Sequence, residues 1–270
     1  MSNGLIPLTK LGQPGGASPK AMIRWGCILL SLAIVMAPLA AMASFKPPKR
    51  GVPGRREGGG SRNPCIVAGR PQLSYPITLL PDLKEANQVA VGQTLDPYPR
   101  FFWYLPATRA GEVEFTLYTD AAPDSQKVLY QTRFQPNRQQ GKPSPAGIYS
   151  LALPTEINLP PLEVGKTYRW SVELICPNVR KGSIMADGGV ERVAVDSALQ
   201  ASLQKANWEQ QATVYVTNGL WFNALNVLAH GRSFKNDAYR NKWKALLSDP
   251  NVNLAQLADI PFVQDDRGKD

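Results

Sequence analysis

Between residues 71 and 195 apolar and polar side chains alternate with a period of two. Glu112–Leu117 reads EVEFTL, which sets Val113, Phe115 and Leu117 on one face and Glu112, Glu114 and Thr116 on the other. Thr167–Cys176 (TYRWSVELIC) repeats the pattern, with Tyr168, Trp170, Val172, Leu174 and Cys176 sharing a face. Ile77–Leu80, Phe101–Leu105, Lys127–Phe134, Ile148–Leu153 and Ser183–Val193 are further strand candidates. Turn formers separate them: Ala122-Pro123-Asp124, the run Gly141–Pro145, and Pro160-Pro161 with Gly165. Short strands at this spacing predict an antiparallel β-sandwich, and Gly188-Gly189 predicts a bulge or turn inside the last of them.

The aromatic run DPYPRFFWYLP (96–106) divides by the same alternation. Phe101, Trp103 and Leu105 point one way, and this larger set is assigned to the core with Trp103 at its centre. Phe102 and Tyr104 point the other way. They form either a docking face for helices or an exposed binding face.

After Val195 the period becomes helical. Asp196 is placed to cap a helix carrying Leu199, Leu203 and Ala206, which runs until Asn218-Gly219. A second carries Trp221, Ala224, Leu225 and Leu228 and stops at His230-Gly231; a third carries Tyr239, Trp243, Leu246 and Leu247 and ends at Asp249-Pro250. The expected fold is therefore mostly β with C-terminal α: a sandwich over 71–195, a small helical appendage over 196–262, and a polar, disordered tail over 263–270.

The N-terminal part follows different rules. A basic stretch ending at Arg24 precedes WGCILLSLAIVMAPLAAMA, and Ala41-Met42-Ala43 provides a small-x-small cleavage site before Ser44. That is the layout of a secretory signal peptide over 1–43. An uncleaved anchor is the alternative, since the apolar stretch approaches the length that spans a bilayer. Residues 44–70 are rich in Pro, Gly and Arg and are read as a mobile linker. The formal net charge of +9 resides in these two segments. Lys10, Lys20 and Arg24 stand without an acid, and Lys46, Lys49, Arg50, Arg55, Arg56, Arg62 and Arg70 face only Glu57. The remainder is neutral, which together with export argues against a nucleic-acid partner. Membrane contact is expected only through an uncleaved leader or a weak electrostatic contact of the basic linker.

Export to the periplasm or cell surface changes the meaning of the cysteines. With Cys27 in the leader, Cys65 and Cys176 remain, and an even pair in an oxidising compartment reads as a disulfide. Catalytic chemistry finds little material. The single histidine, His230, sits where the second helix is expected to end, a position favoured by the helix dipole. No G-x-S-x-G elbow is present, and one histidine with a disulfide cannot supply a tetrahedral zinc site. No cofactor and no metal are implied. Two carboxylate pairs stand out: Glu112 with Glu114, read as solvated strand residues, and Asp187 with Glu191, read as lining a loop around the glycines.

Two resemblances add to this. Leu162–Trp170 (LEVGKTYRW) resembles the start of the sixth strand in immunoglobulin- and fibronectin-like sandwiches. That implies a corner role for Tyr168, its hydroxyl tied to nearby backbone, and a core role for Trp170. Gly54–Arg62 with Cys65, Pro97–Pro106, Leu159–Trp170 through Cys176, and Asn218–Leu225 together resemble the cyanobacterial domain-of-unknown-function family 928. The resemblance implies an exported cyanobacterial protein without an established activity, in the neighbourhood of sensors with extracellular CHASE-type domains and of caspase-like CHAT proteins. The functional expectation is a non-catalytic protein-interaction module of the cell envelope, accessory to a signalling or sensor system, with an unidentified envelope protein as partner. The alternatives are a carbohydrate- or peptidoglycan-binding module using exposed aromatics, Trp103 or Tyr104, and an envelope hydrolase built on a carboxylate pair.

Overall fold

Phe101 meets Phe115 and Trp170 with ring centroids 5.0 Å apart, and Trp103 stacks on Phe115 at 6.0 Å. These rings come from strands far apart in the chain, and their contact sets the architecture. The computed structural model describes residues 44–47, 50–59, 65–67, 73–85, 87–119, 126–136, 142–176, 183–233 and 237–263. The leader, 1–43, lies outside the described residues.

Each of the seven anticipated strands forms: β2 (Ile77–Thr78), β4 (Arg100–Leu105), β5 (Glu112–Tyr118), β6 (Val128–Phe134), β7 (Gly147–Ala152), β8 (Thr167–Ile175) and β9 (Ile184–Arg192). Two more, β1 (Gly51–Pro53) and β3 (Gln88–Thr94), lack the alternation that reveals the others. The strands make two sheets, one ordered β1-β3-β9-β8-β5-β6 and one ordered β2-β4-β7. The buried faces of β4, β5 and β8 meet between them.

The expectation of an all-antiparallel arrangement is corrected by one pairing. β3 runs parallel to β9, from Val91↔Gly189 to Thr94↔Arg192, so the larger sheet is mixed. No hairpin joins these strands, so nothing local dictates their direction. The Gly188-Gly189 pair is also corrected. The β8–β9 register continues unbroken from Thr167↔Glu191 to Leu174↔Ile184, with no bulge. Gly188 pairs with Trp170, and a Cβ there would stand 2.3 Å from the indole. The glycine makes room for the ring rather than bending the strand.

Four helices follow: α1 (Ser197–Lys205), α2 (Trp208–Thr217), α3 (Trp221–Ser233) and α4 (Asp237–Leu247). The single helix expected after Asp196 is two, because Asn207 opens a new one. Its side chain accepts from the Gln210 N–H at 2.9 Å while Gln210 Oε1 accepts from the Asn207 N–H at 2.9 Å. α3 does not stop at His230-Gly231 but continues through it, with Gly231 fitting beneath the Tyr239 ring.

The helices pack closely against the sheets. α3 is buried on nearly every side, and Phe222 reaches Phe101 in the sheet core at 5.4 Å. The Trp221 indole donates to the Leu79 carbonyl at 2.7 Å. The described residues from 44 to 263 belong to one compact unit.

The linker reading fails over its described first half. Phe45 is buried against Trp221 at 4.9 Å, and β1 adds an edge to the larger sheet through β3. Composition misled because backbone pairing and two apolar residues, Phe45 and Val52, do the anchoring. Val263, expected in the disordered tail, donates its N–H to the Ile148 carbonyl at 2.9 Å. Residues 264–270 lie outside the described residues.

Candidate functional site

Alternation places Phe102 and Tyr104 on the outer face of the smaller sheet, and both are buried there. Phe102 packs edge-on to Phe262 at 6.4 Å, and the Tyr104 hydroxyl donates to the Leu73 carbonyl at 3.1 Å. The segment after α4, including the 3-10 turn Ala255–Leu257, lies against this face. A cavity of about 460 Å³ remains at this junction, walled by Leu73, Tyr104, Pro106, Ala146, Ala255 and Ile260. Trp103 is fully buried between the sheets. None of the three rings offers a stacking face to solvent.

Cys65 and Cys176 form a disulfide with Cα atoms 5.8 Å apart and a sequence separation of 111. A loop of that length gives a stabilisation of about 4–5 kcal/mol in the chain-entropy description. The bridge fastens the end of β8 to a turn whose carbonyl, at Cys65, accepts from the Thr108 hydroxyl at 2.9 Å. Tyr168 is buried, and its hydroxyl accepts from the Glu163 N–H at 2.9 Å. Trp170 fills the core beside Phe101 and Phe115.

The carboxylates are held by arginines. Glu114, expected in solvent, is buried and accepts from Arg133 at 2.5 Å, while Glu112 stands 3.6 Å from the same guanidinium. Glu191 pairs with Arg50 at 3.3 Å. Asp187 accepts from Arg169 and, at 3.0 Å, from the Arg55 backbone N–H. Burial pushes the Asp187 carboxyl above its ordinary value despite the opposing pull of Arg169 and Arg55. It borders a cavity of about 590 Å³ lined also by Gly54, Arg55, Asn87 and Met185. Glu191 is not among those lining residues, so the two acids expected around the glycines do not converge there. The pairing explains their burial: Arg50 and Arg55 lie on the stretch that was read as a linker. Among the described residues, no group of three His, Cys, Asp or Glu is placed to hold a metal ion.

Residues 57–262 match the family described as Domain of Unknown Function (DUF928). The chain belongs to that family. No curated protein is significantly similar to it.

In this DUF928 member a further feature is an edge of the larger sheet. Among the described residues β6 pairs with β5 and with no second strand. Val128 is 55% exposed, and Gln131 and Arg133 are exposed on the outer face. Tyr130, Thr132 and Phe134 lie opposite Leu117, Phe115 and Val113, so they extend the buried inner layer, yet they are only half-buried. Phe134 reaches Trp103 at 6.2 Å and Tyr130 reaches Phe115 at 6.3 Å. The other edges are short or accompanied. β1 has three residues and ends in Pro53; β2 has two and is bridged by Glu57; β7 has Pro261–Val263 alongside Ile148. Sequence patterning locates β6 but carries no sign that it is an edge.

Proposed function

We propose that this protein is an exported, non-catalytic interaction module of the cyanobacterial cell envelope, accessory to a signalling or sensor system, that engages protein along the open edge of β6. The observation that carries this reading is that edge: along Val128–Arg133 the strand has, among the described residues, a neighbouring strand on one side only, and the half-buried Tyr130 backs it. The leader, with its basic start and Ala41-Met42-Ala43 site, supports export. We read the paired sheets as an immunoglobulin- and fibronectin-like sandwich whose corner is the Tyr168 hydroxyl on the Glu163 N–H. Trp103 and Tyr104, the rings expected to serve the glycan-binding alternative, are buried.

Proline substitution along β6 tests the edge. In an antiparallel ladder alternate residues face each neighbour, so of Gln131→Pro and Thr132→Pro one removes an outward N–H and spares the β5 ladder. The variant that keeps the native fold should lose capture of a partner from envelope extract that the wild type retains. Undiminished capture by that folded variant overturns the reading.

A further inference from the structure

We propose that the cavity beside Asp187 binds a small organic monocarboxylate, with the Arg55 guanidinium as its anchor. The site lies at β9 and the turn after β1, so it stands or falls independently of β6.

Backbone geometry fixes where Arg55 stands. Its N–H donates to Asp187 Oδ2 at 3.0 Å, and its carbonyl accepts from the Asp187 N–H at 2.7 Å. Gly54 lets the chain come this close, since a Cβ there would stand 2.7 Å from Asp187 Cβ. Gly59 clears space for the side chain: a Cβ on it would stand 3.1 Å from Arg55 Nη1. The structural duty of Arg55 is thus carried by its main chain, and its guanidinium is left over. Other arginines of this sheet and its edge spend theirs. Arg50 pairs with Glu191, Arg133 with Glu114 and Arg169 with Asp187, while Arg56 donates to the carbonyls of Leu80 and Val252. Among the described residues the Arg55 guanidinium makes no hydrogen bond or close ion pair, and acts on Asp187 only as a through-space pull. It borders the cavity of about 590 Å³.

Charge and shape choose the ligand. The Asp187 side chain is 6% exposed and is balanced by Arg169, so Arg55 leaves the cavity with one positive charge. A monoanion answers that charge; a second negative charge would face the Asp187 carboxyl. The guanidinium fork matches the two coplanar oxygens of a carboxylate. Asn87, whose carboxamide is also free among the described residues, brings a further N–H donor to the cavity wall. Pro53 and the exposed Met185 offer apolar surface to the rest of the molecule. Few polar groups on an otherwise apolar wall, in a volume of this order, is the usual form of a small-molecule site.

Titrations with acetate, N-acetylglycine and N-acetylleucine, each beside its uncharged amide, test the site. NMR shifts of the Arg55 and Asn87 side-chain N–H groups report binding. At least one carboxylate should saturate these shifts, and its amide should bind about tenfold more weakly or worse. Arg55→Ala keeps the backbone N–H that Asp187 accepts, so the fold should survive, as circular dichroism checks. Its affinity, read at Asn87, should fall about tenfold or more. Arg55→Lys keeps the charge without the fork and should recover only part of that loss. Asp187→Asn removes the neighbouring negative charge and should tighten binding by roughly threefold. Arg109→Ala, at an exposed arginine between β4 and β5, should change nothing. The proposal is overturned if no carboxylate saturates the shifts, if acid and amide bind equally, or if Arg55→Ala binds like Arg109→Ala. Weaker binding by a folded Asp187→Asn overturns it as well, and tighter binding of inorganic phosphate than of the carboxylates overturns the ligand class. Arg55→Ala leaves β6 intact and should still capture the envelope partner, so failure of this site leaves the edge reading standing.

Discussion

Gly188 shows how a residue can be located correctly and explained wrongly from sequence. Two adjacent glycines in a strand suggest a bend, yet the pair lies in regular ladder because the Trp170 ring covers Gly188. Gly188→Ala should cost about 1–3 kcal/mol in urea unfolding, as overpacking does. Combining it with Trp170→Phe should recover part of that loss. The smaller ring frees the space, and the Trp170 indole N–H is buried without a hydrogen bond, so its removal leaves no acceptor unsatisfied. Equal costs with and without the Phe would sink this account. Asp96 makes a second residue-level case. Burial raises its carboxyl above the ordinary 3.8, against the opposing effects of the Asn223 amide and Arg192. The native state thus holds this proton more tightly than the unfolded chain. Its contribution is complete below 3.8 and is lost as pH rises through the raised native value. Asp96→Asn does not titrate and still accepts from Asn223, which donates to Asp96 at 3.1 Å. Its stability relative to wild type should therefore rise from about pH 4 to neutrality. Parallel stability–pH curves for the two proteins would refute it.

Whole elements were legible where one face is apolar and the other polar. β5 and β8 announce themselves through Val113, Phe115 and Leu117, and through Tyr168, Trp170, Val172 and Leu174. β3 does not, because it is covered on both faces: a Cβ on its Gly92 would meet the Phe222 ring of α3 at 2.7 Å. A strand buried on both sides loses the alternation that marks it. The break between α1 and α2 was missed for a different reason. Leu199, Leu203 and Ala206 continue a helical period across Asn207, and only the reciprocal bonds with Gln210 show that a new helix begins. Asn207→Ala should remove that cap and cost about 0.5–2 kcal/mol, with a loss of helical circular dichroism. α1 has no buried residue. Unfolding of α1 alone should then precede global unfolding, so a cap loss without any change in the global midpoint would show that α2 is similarly uncoupled from the core.

At the scale of the whole molecule, the least legible property is which strands lie at the edges. Strand order depends on pairings such as β3 with β9, distant in sequence and of either direction, so nothing near Val128–Phe134 betrays that β6 ends the strand order of its sheet. The same holds for the candidate site: Phe102 and Tyr104 were singled out, but the face they form is already covered. The N-terminal stretch is where composition and structure part most sharply. Pro, Gly and Arg indicate a chain that cannot build a core, and by itself it does not. It is instead the last layer of a core built by others. Phe45 packs on Trp221 at 4.9 Å, its N–H donates to Asp249 at 2.9 Å, and Arg50 and the Arg55 backbone engage Glu191 and Asp187. If these contacts couple the segment to the global fold, Phe45→Ala should destabilise the whole protein by about 3–5 kcal/mol, the usual cost of emptying a buried aromatic site. Amide exchange in β1 and in α3 around Trp221 should accelerate together in that variant. A mutant with an unchanged global midpoint and faster exchange only in residues 44–59 would mean that the segment docks on a finished domain, and that the linker description holds energetically even though it fails geometrically.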